Sequence, residues 1–305
     1  MAVLNQSGIT LPKNIAQGMF KKAQTGSAIA VLSNSEPQQF GETTVMTLTG
    51  RPKAELVGES TQKGATNATF GSKVVLPHKY HVTMRFSSEV KWADEDYQLG
   101  VLQTLADEGA LALARALDLG AFHGINPLSG AVAASIPAAD RIATTTNSVE
   151  ITLGTLGTPD LVIEAAAGLV VADGYIPNGI AFDPTYAWTV STARYADGRK
   201  KYPELGIGVP VSSFDGIPAS TTDTVSASQE AAVATNVKAI VGQWDLLRWG
   251  VQKSVPVEMI EFGDPDGLGD LKRQNEIALR LEGVYGWGVM DRDGFATVKD
   301  AVANV

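Results

Sequence analysis

Few residues in this chain are placed to do chemistry. Its histidines are His78, His81 and His123. The first two stand three apart in a stretch that alternates like a strand, so they point to opposite faces and do not converge on one metal ion. His123 has no carboxylate or histidine at ligand spacing, and all three read as structural residues. The run Asp264-Pro265-Asp266-Gly267-Leu268-Gly269-Asp270 has the look of a calcium loop. However, Leu268 stands where the third ligand belongs and no bidentate Glu follows, so an acidic turn between two strands is the better reading. There is no cysteine, which excludes disulfide staples, zinc–thiolate sites and thiol nucleophiles. Neither Gly206-Ile207-Gly208 nor Gly154 to Gly157 continues into a phosphate-binding loop, and there is no Gly-x-Ser-x-Gly. Asn67-Ala68-Thr69 matches a glycosylation sequon, but with no signal peptide it reads as chance. No catalytic residue, cofactor or metal site is expected.

The elements that would position a site are more informative. With 305 residues, 44% of them apolar, the chain can bury one large core or two modest ones without covalent staples. No apolar run reaches membrane-spanning length, and neither export nor a membrane span is expected. Net charge is -9 but uneven. Residues 1–91 hold ten Lys/Arg against five Asp/Glu, and residues 92–305 hold fourteen against twenty-eight. Lys13, Lys21 and Lys22 precede the first acid, Glu36. On charge alone this is a loosely ordered basic terminus; the sharper alternative is an arm that reaches the acidic body of a neighbouring copy. The acidic total argues against direct nucleic-acid recognition.

Thr43–Leu48 and Arg51–Glu59 alternate loosely, and Tyr80, Val82, Met84 and Phe86 alternate with polar residues, which predicts strands with one buried face. Between them Thr61 to Thr69 has no large apolar anchor, as expected of the tip of a long excursion that cannot pack on its own core. Trp92 and the acids Asp94-Glu95-Asp96 then open a helix carrying Leu99, Leu102, Ala106, Leu113 and Leu117. It is expected over about 94–120, ending near Gly120 or Gly124, and roughly 40 Å long. A turn-rich link with short strands follows to Thr155. Thr158-Pro159 and Asp183-Pro184 start two further helices, the second running through Arg194 to Gly198, with Gly179–Phe182 a short buried strand between them. Strands return at Val237–Val241, Val255–Phe262 and along Ile277, Leu279, Leu281, Tyr285, Trp287 and Val289.

In that order, and in several segments, the chain resembles the major capsid proteins of tailed phages. Ala54 to Glu59 followed by Lys73 to Ser88 is similar to the family's extended loop, and Leu117-Asp118-Leu119-Gly120-Ala121-Phe122-His123-Gly124 to the end of its spine helix. Gly179-Ile180-Ala181-Phe182-Asp183-Pro184 resembles an axial-domain strand entering a helix, Gly208-Val209-Pro210-Val211 a later return strand, and Val241-Gly242-Gln243-Trp244-Asp245 a Gly-Asp-Trp/Phe pattern. Arg273 to Glu282 and Asp291 to Phe295 resemble the last peripheral strands.

The resemblance implies an α+β fold of the Hong Kong 97 type. It implies an N-terminal arm (1–35), an extended loop with flanking strands (36–92), a peripheral domain with the spine helix (93–155), an axial domain (156–250) and returning peripheral strands (251–305). The implied function is that of a phage-head subunit forming hexamers and pentamers of an icosahedral shell around double-stranded DNA. Its partners would be further copies of itself, with a separate scaffold protein or assembly without one, and with portal and decoration proteins, and assembly would take place in the host cytoplasm. Candidate loop contacts between subunits are Arg51, Lys53, Glu59, Lys63 and Lys73, and candidate axial contacts are Arg199, Lys200 and Lys201. Some relatives join a loop lysine to an asparagine with a carboxylate as base. Lys63 or Lys73 with Asn275 and Glu282 are the residues to consider here. Lys63 has no apolar neighbours in sequence to desolvate its amine, and residues 275 and 282 face opposite ways in an unbroken strand, which a bulge before Gly283 would alter. No crosslink is expected, with Asn275 a strand-edge hydrogen-bonding residue and Glu282 an ion-pairing one. An encapsulin-type compartment shell shares the implied fold, and an α+β enzyme is the alternative from a different class.

Overall fold

The computed structural model describes residues 27–50, 52–89, 95–151, 159–206 and 210–300. The expected arm up to residue 26, Arg51, Trp92, Asp94 and the Thr158 cap lie outside them.

The first layer is a four-stranded sheet in the order β1 (Thr43–Gly50), β2 (Thr69–Ser87), β9 (Glu276–Val289), β8 (Leu247–Ile260). β2 and β9 pair antiparallel without a slip from Leu76↔Trp287 to Ser87↔Glu276. The alternation of Tyr80, Val82, Met84 and Phe86 therefore meets that of Leu279 and Leu281 on one face. The spine helix α2 (Glu95–His123) closes this face: Leu102, Ala106, Ala110, Leu113 and Ala114 pack there with Leu279 and Leu281. Small residues bring the helix close to the sheet. A Cβ on Gly109 would stand 2.6 Å from Leu281 Cδ2, and one on Gly120 would stand 2.5 Å from Tyr80 Oη and 2.8 Å from Trp287. Each glycine inside a helix costs about 1 kcal/mol against alanine, and here the loss accommodates large strand side chains. α2 spans 29 residues, about 44 Å at 1.5 Å per residue. It ends at Gly124, whose φ of 71° is left-handed.

The second layer is a six-stranded mixed sheet in the order β3 (Ser148–Ile151), β10 (Phe295–Asp300), β7 (Val237–Gly242), β4 (Gly179–Phe182), β6 (Ile217–Thr221), β5 (Ser213–Phe214). Helices α3 (Pro159–Ala172) and α4 (Pro184–Ser191) cover it, with Ile163, Ala166, Val170, Tyr186 and Val190 against Ile180, Phe182, Val241 and Val298. Asp183 caps α4 by accepting from Thr185 N–H, as the Asp-Pro pair predicts. A third cluster joins the layers: Trp244, Phe122, Phe295, Trp287 and Ile142, together with Ile29 of α1 (Ala28–Leu32).

Several expectations are corrected. Residues 52–58 form no strand, because pairing stops at Gly50↔Thr69 and the polar tip offers no partner. α4 stops at Ser191 instead of running to Gly198. Ser191 and Thr192 hydroxyls donate back to the Trp188 carbonyl at 2.9 and 2.8 Å, and the chain then turns into a tight hairpin, Arg194 pairing with Lys200 around Gly198. The return strand expected at Gly208–Val211 is not found at its described residues, Pro210 and Val211; pairing begins at Ser213. β8 starts at Leu247, before the expected Val255. Of the strands after residue 251, β9 joins the first sheet and β10 joins the second.

Candidate assembly surfaces

The excursion between β1 and β2 has no core of its own. Every residue described from 58 to 70 is exposed, and Leu56 is fully so. Its two legs are tied to each other by Gly64 N–H to the Glu55 carboxylate at 3.0 Å and by Thr66 Oγ1 to the Lys53 carbonyl at 3.1 Å. Lys53, Glu59 and Lys63 stand on this exposed stretch. Lys73 does not, since its ammonium is 2.8 Å from Asp140 and 3.4 Å from the Ala139 carbonyl of its own chain.

The loop chemistry is supplemented by residues that sequence reasoning missed. Met46, Phe70 and Val74 are 74%, 64% and 41% exposed. The pairs Thr44↔Val74, Met46↔Ser72 and Leu48↔Phe70 put these three side chains on one face of the β1–β2 ribbon. The opposite face carries Lys73 and the buried Val75. The signal was present: both alternating sets in Thr43–Leu48 include apolar residues, where a strand with one wet face would show a single set.

At the axial end the three candidate cations differ. Lys201 pairs with Asp160 and lies 5.9 Å and 6.0 Å from the Tyr195 and Tyr202 ring centroids. Lys200 donates to the Leu205 carbonyl at 3.2 Å. Arg199 is exposed beside Asp197, which lowers that carboxyl below its ordinary value. Trp188 and Tyr195, each 52% exposed, stand on the same α4–hairpin unit and were not picked out from sequence.

Asn275 and Glu282 are placed differently from each other. Asn275 is not on a strand edge: it terminates the short helix α5 (Leu271–Gln274) in the left-handed region at φ 55°, and its carbonyl accepts from Ser88 N–H at 2.8 Å. Glu282 is 2.8 Å from Lys79 Nζ, and this bond holds its carboxyl below the usual range. β9 carries no bulge in its pairing with β2; where it pairs with β8 the slips fall on β8, between Val251 and Lys253 and between Val255 and Glu258.

The remaining motifs resolve as structure. Arg85 gathers the acidic turn, bonding Asp264, Asp266, Gln274, Glu276 and the Gly269 carbonyl, and its bonds to Asp266 and Glu276 raise its already high pKa. Among the described residues no group of three or more His, Asp or Glu is arranged to hold a metal ion. His78 lies 4.1 Å from Trp287, ring to ring, and burial lowers its pKa. His123 donates from Nε2 to the Val225 carbonyl at 2.9 Å, and burial pushes it down to about 4.

Two sheets braced by one long helix, with a ribbon that leaves its own core, form the architecture of the Hong Kong 97 fold. No family model and no curated protein matches the chain. Solved structures do. A chain of Mycobacterium phage Ogopogo is 50% identical over 90% of this chain and 92% of that one, with a TM-score of 0.81. One of Gordonia phage Cozz is 33% identical over 90% and 87%, with a TM-score of 0.79. The capsid of the native GTA particle shares the fold at 14% identity, covering 99% and 95%, with a TM-score of 0.61. The chain belongs to the tailed-bacteriophage major capsid proteins. Its role is structural, and the virion is its place of work.

Proposed function

We propose that this protein forms the hexamers and pentamers of an icosahedral phage head, assembled in the host cytoplasm around double-stranded DNA, with the β1–β2 excursion lying over the adjacent subunit. The observation that carries the reading is the excursion itself. A ribbon with Met46, Phe70 and Val74 exposed on one face, ending in a wholly exposed polar tip, leaves apolar surface in water that another copy would cover. The axial unit bearing Trp188, Tyr195 and Arg199 is the matching candidate at the capsomer axis, since aromatic and arginine side chains dominate interface energetics. Lys53 and Lys63, exposed on the excursion, serve as its loop contacts. Separate scaffold, portal and decoration proteins complete the assembly, and the DNA is enclosed without sequence recognition.

Electron microscopy of the purified chain tests this. Closed shells or ring-shaped capsomers are expected, with nuclease-protected DNA in particles from infected cells. Particles that enclose protein and no DNA would point to a compartment shell instead, and a strict small oligomer would overturn the assembly reading.

A further inference from the structure

Each of the two sheets ends in two edge strands, and an edge presents a row of backbone N–H and C=O groups with no ladder partner. Proteins blunt such edges to keep other strands off. Three of the four edges here are blunted. β5 is only two residues long. β3 has four residues, with Glu150 among them. β8 is long, but two slips interrupt it, Lys253, Pro256 and Glu258 lie along it, and its Trp249 carbonyl already accepts from Glu36 N–H at 2.8 Å.

Over Thr43–Leu48, β1 has none of these devices. Among the described residues it pairs with β2 alone, in unbroken register from Thr43↔Val75 to Leu48↔Phe70, and its irregularity comes only after Leu48. No proline and no charged residue lies between Glu42 and Arg51. Thr43, Thr44, Val45 and Thr47 are β-branched, the type that favours strands. Thr44 and Met46 are exposed. A regular, uncharged edge of this kind is an aggregation site on a protein that works alone.

We propose that the open edge of β1 accepts a strand from a second copy of this chain, extending the four-stranded sheet across the boundary between subunits. The pairing rests on the assembly reading and deepens it, since backbone groups along the ribbon's edge join the apolar contacts on its face. A second copy is the occupant because the edge is continuous with the exposed face of Met46, Phe70 and Val74, so one neighbour covers both. Main-chain hydrogen bonds supply the grip, and side chains beside Met46 set the register. The ladder also fixes which groups are free. In antiparallel pairing the N–H and C=O of alternate β1 residues turn toward β2, and those of the residues between turn outward. An incoming strand therefore protects only every second amide.

Hydrogen exchange resolved to single residues tests this, in the unassembled full chain and in shells or capsomers assembled from the purified chain. In the unassembled chain β2 should protect one alternate set of β1 amides while the other exchanges freely. On assembly the free set should slow by at least about tenfold. Thr44 and Thr47 belong to opposite sets. Thr44→Pro or Thr47→Pro, whichever falls at an outward position, removes a donor and spares the pairing with β2. That variant should fold, and should either lose the added protection or fail to assemble. Assemblies whose outward amides exchange as in the free chain, or an outward proline that leaves the added protection unchanged, would overturn the proposal and leave the assembly reading standing. A chain that does not assemble would overturn both. Protection confined to particles from infected cells would give the strand to another protein and overturn the assignment to a second copy. Exchange in the unsubstituted chain decides the matter even if the proline variants do not fold.

Discussion

The excursion between β1 and β2 and the spine helix α2 are both long, and they are held in opposite ways. α2 is fixed by contacts so close that a Cβ on Gly109 would stand 2.6 Å from Leu281 and one on Gly120 2.5 Å from Tyr80 and 2.8 Å from Trp287. The described legs of the excursion are tied to each other by the Gly64–Glu55 and Thr66–Lys53 hydrogen bonds. One element is specified by the interior of a single chain, and the other has surface to spare. Under the proposed reading, that spare surface is what a neighbouring copy covers.

The largest expected effect lies on the excursion. Deleting Lys63 to Ala68 should abolish or severely impair shell formation, while denaturant unfolding of the unassembled chain stays within about 0.5 kcal/mol of the parent. Loss of the monomer's fold would show that the tip belongs to the core and would erase the contrast. On the spine the reverse is expected. Gly120→Val forces a branched side chain against Trp287 and should cost about 3 kcal/mol in urea unfolding; a neutral outcome would mean that the helix–sheet contact is loose.

A third test sharpens the spine side through pH. The imidazole of His123 binds its proton less readily when folded, at about 4 against an ordinary 6.5. Its contribution to stability is therefore present above 6.5 and lost as pH falls toward 4. His123→Gln, which keeps a donor for the Val225 carbonyl, removes this loss. Going from pH 7 to pH 5, the variant should gain about 2 kcal/mol relative to the parent, read from urea midpoints; no relative gain would show that His123 is not held neutral.

The smallest effect is an expected absence. Glu282 is engaged by Lys79, Lys73 by Asp140, and Asn275 ends a helix turn, so no covalent mail between subunits is predicted. Boiling mature particles in denaturing detergent should release one band near 32.1 kDa. A ladder that vanishes with Lys63→Ala or Asn275→Asp would reverse this.

The charge asymmetry shows where sequence reasoning reaches its limit. A basic first third and an acidic remainder suggest attraction between copies. Yet Lys73, Lys79 and Arg85 of β2 spend their charge on Asp140, Glu282 and the Asp264–Glu276 turn of the same chain. Composition counts charges but not their partners, and antiparallel pairing of β2 with β9 brings together residues some two hundred positions apart. Association should therefore rest more on the apolar ribbon face than on the totals imply.

By itself the sequence determined the elements whose signals are local. The periodic leucines and alanines of α2, the Asp183-Pro184 start of α4, the alternation of β2 and β9, and the unanchored tip could all be read from neighbours along the chain. Only the tertiary structure decided what depends on distant partners. Alternation at 52–58 came to nothing because no strand lay opposite, and α4 ended early where hydroxyls turned back on its carbonyls. β10 parted from β9 to join β3 and β7. Asp118 read as part of a motif at the end of the spine helix and became a buried carboxylate only when Ser27, some ninety residues away, folded over it. Periodicity is a property of the backbone a residue belongs to, whereas burial and pairing are properties of what arrives from elsewhere in the chain.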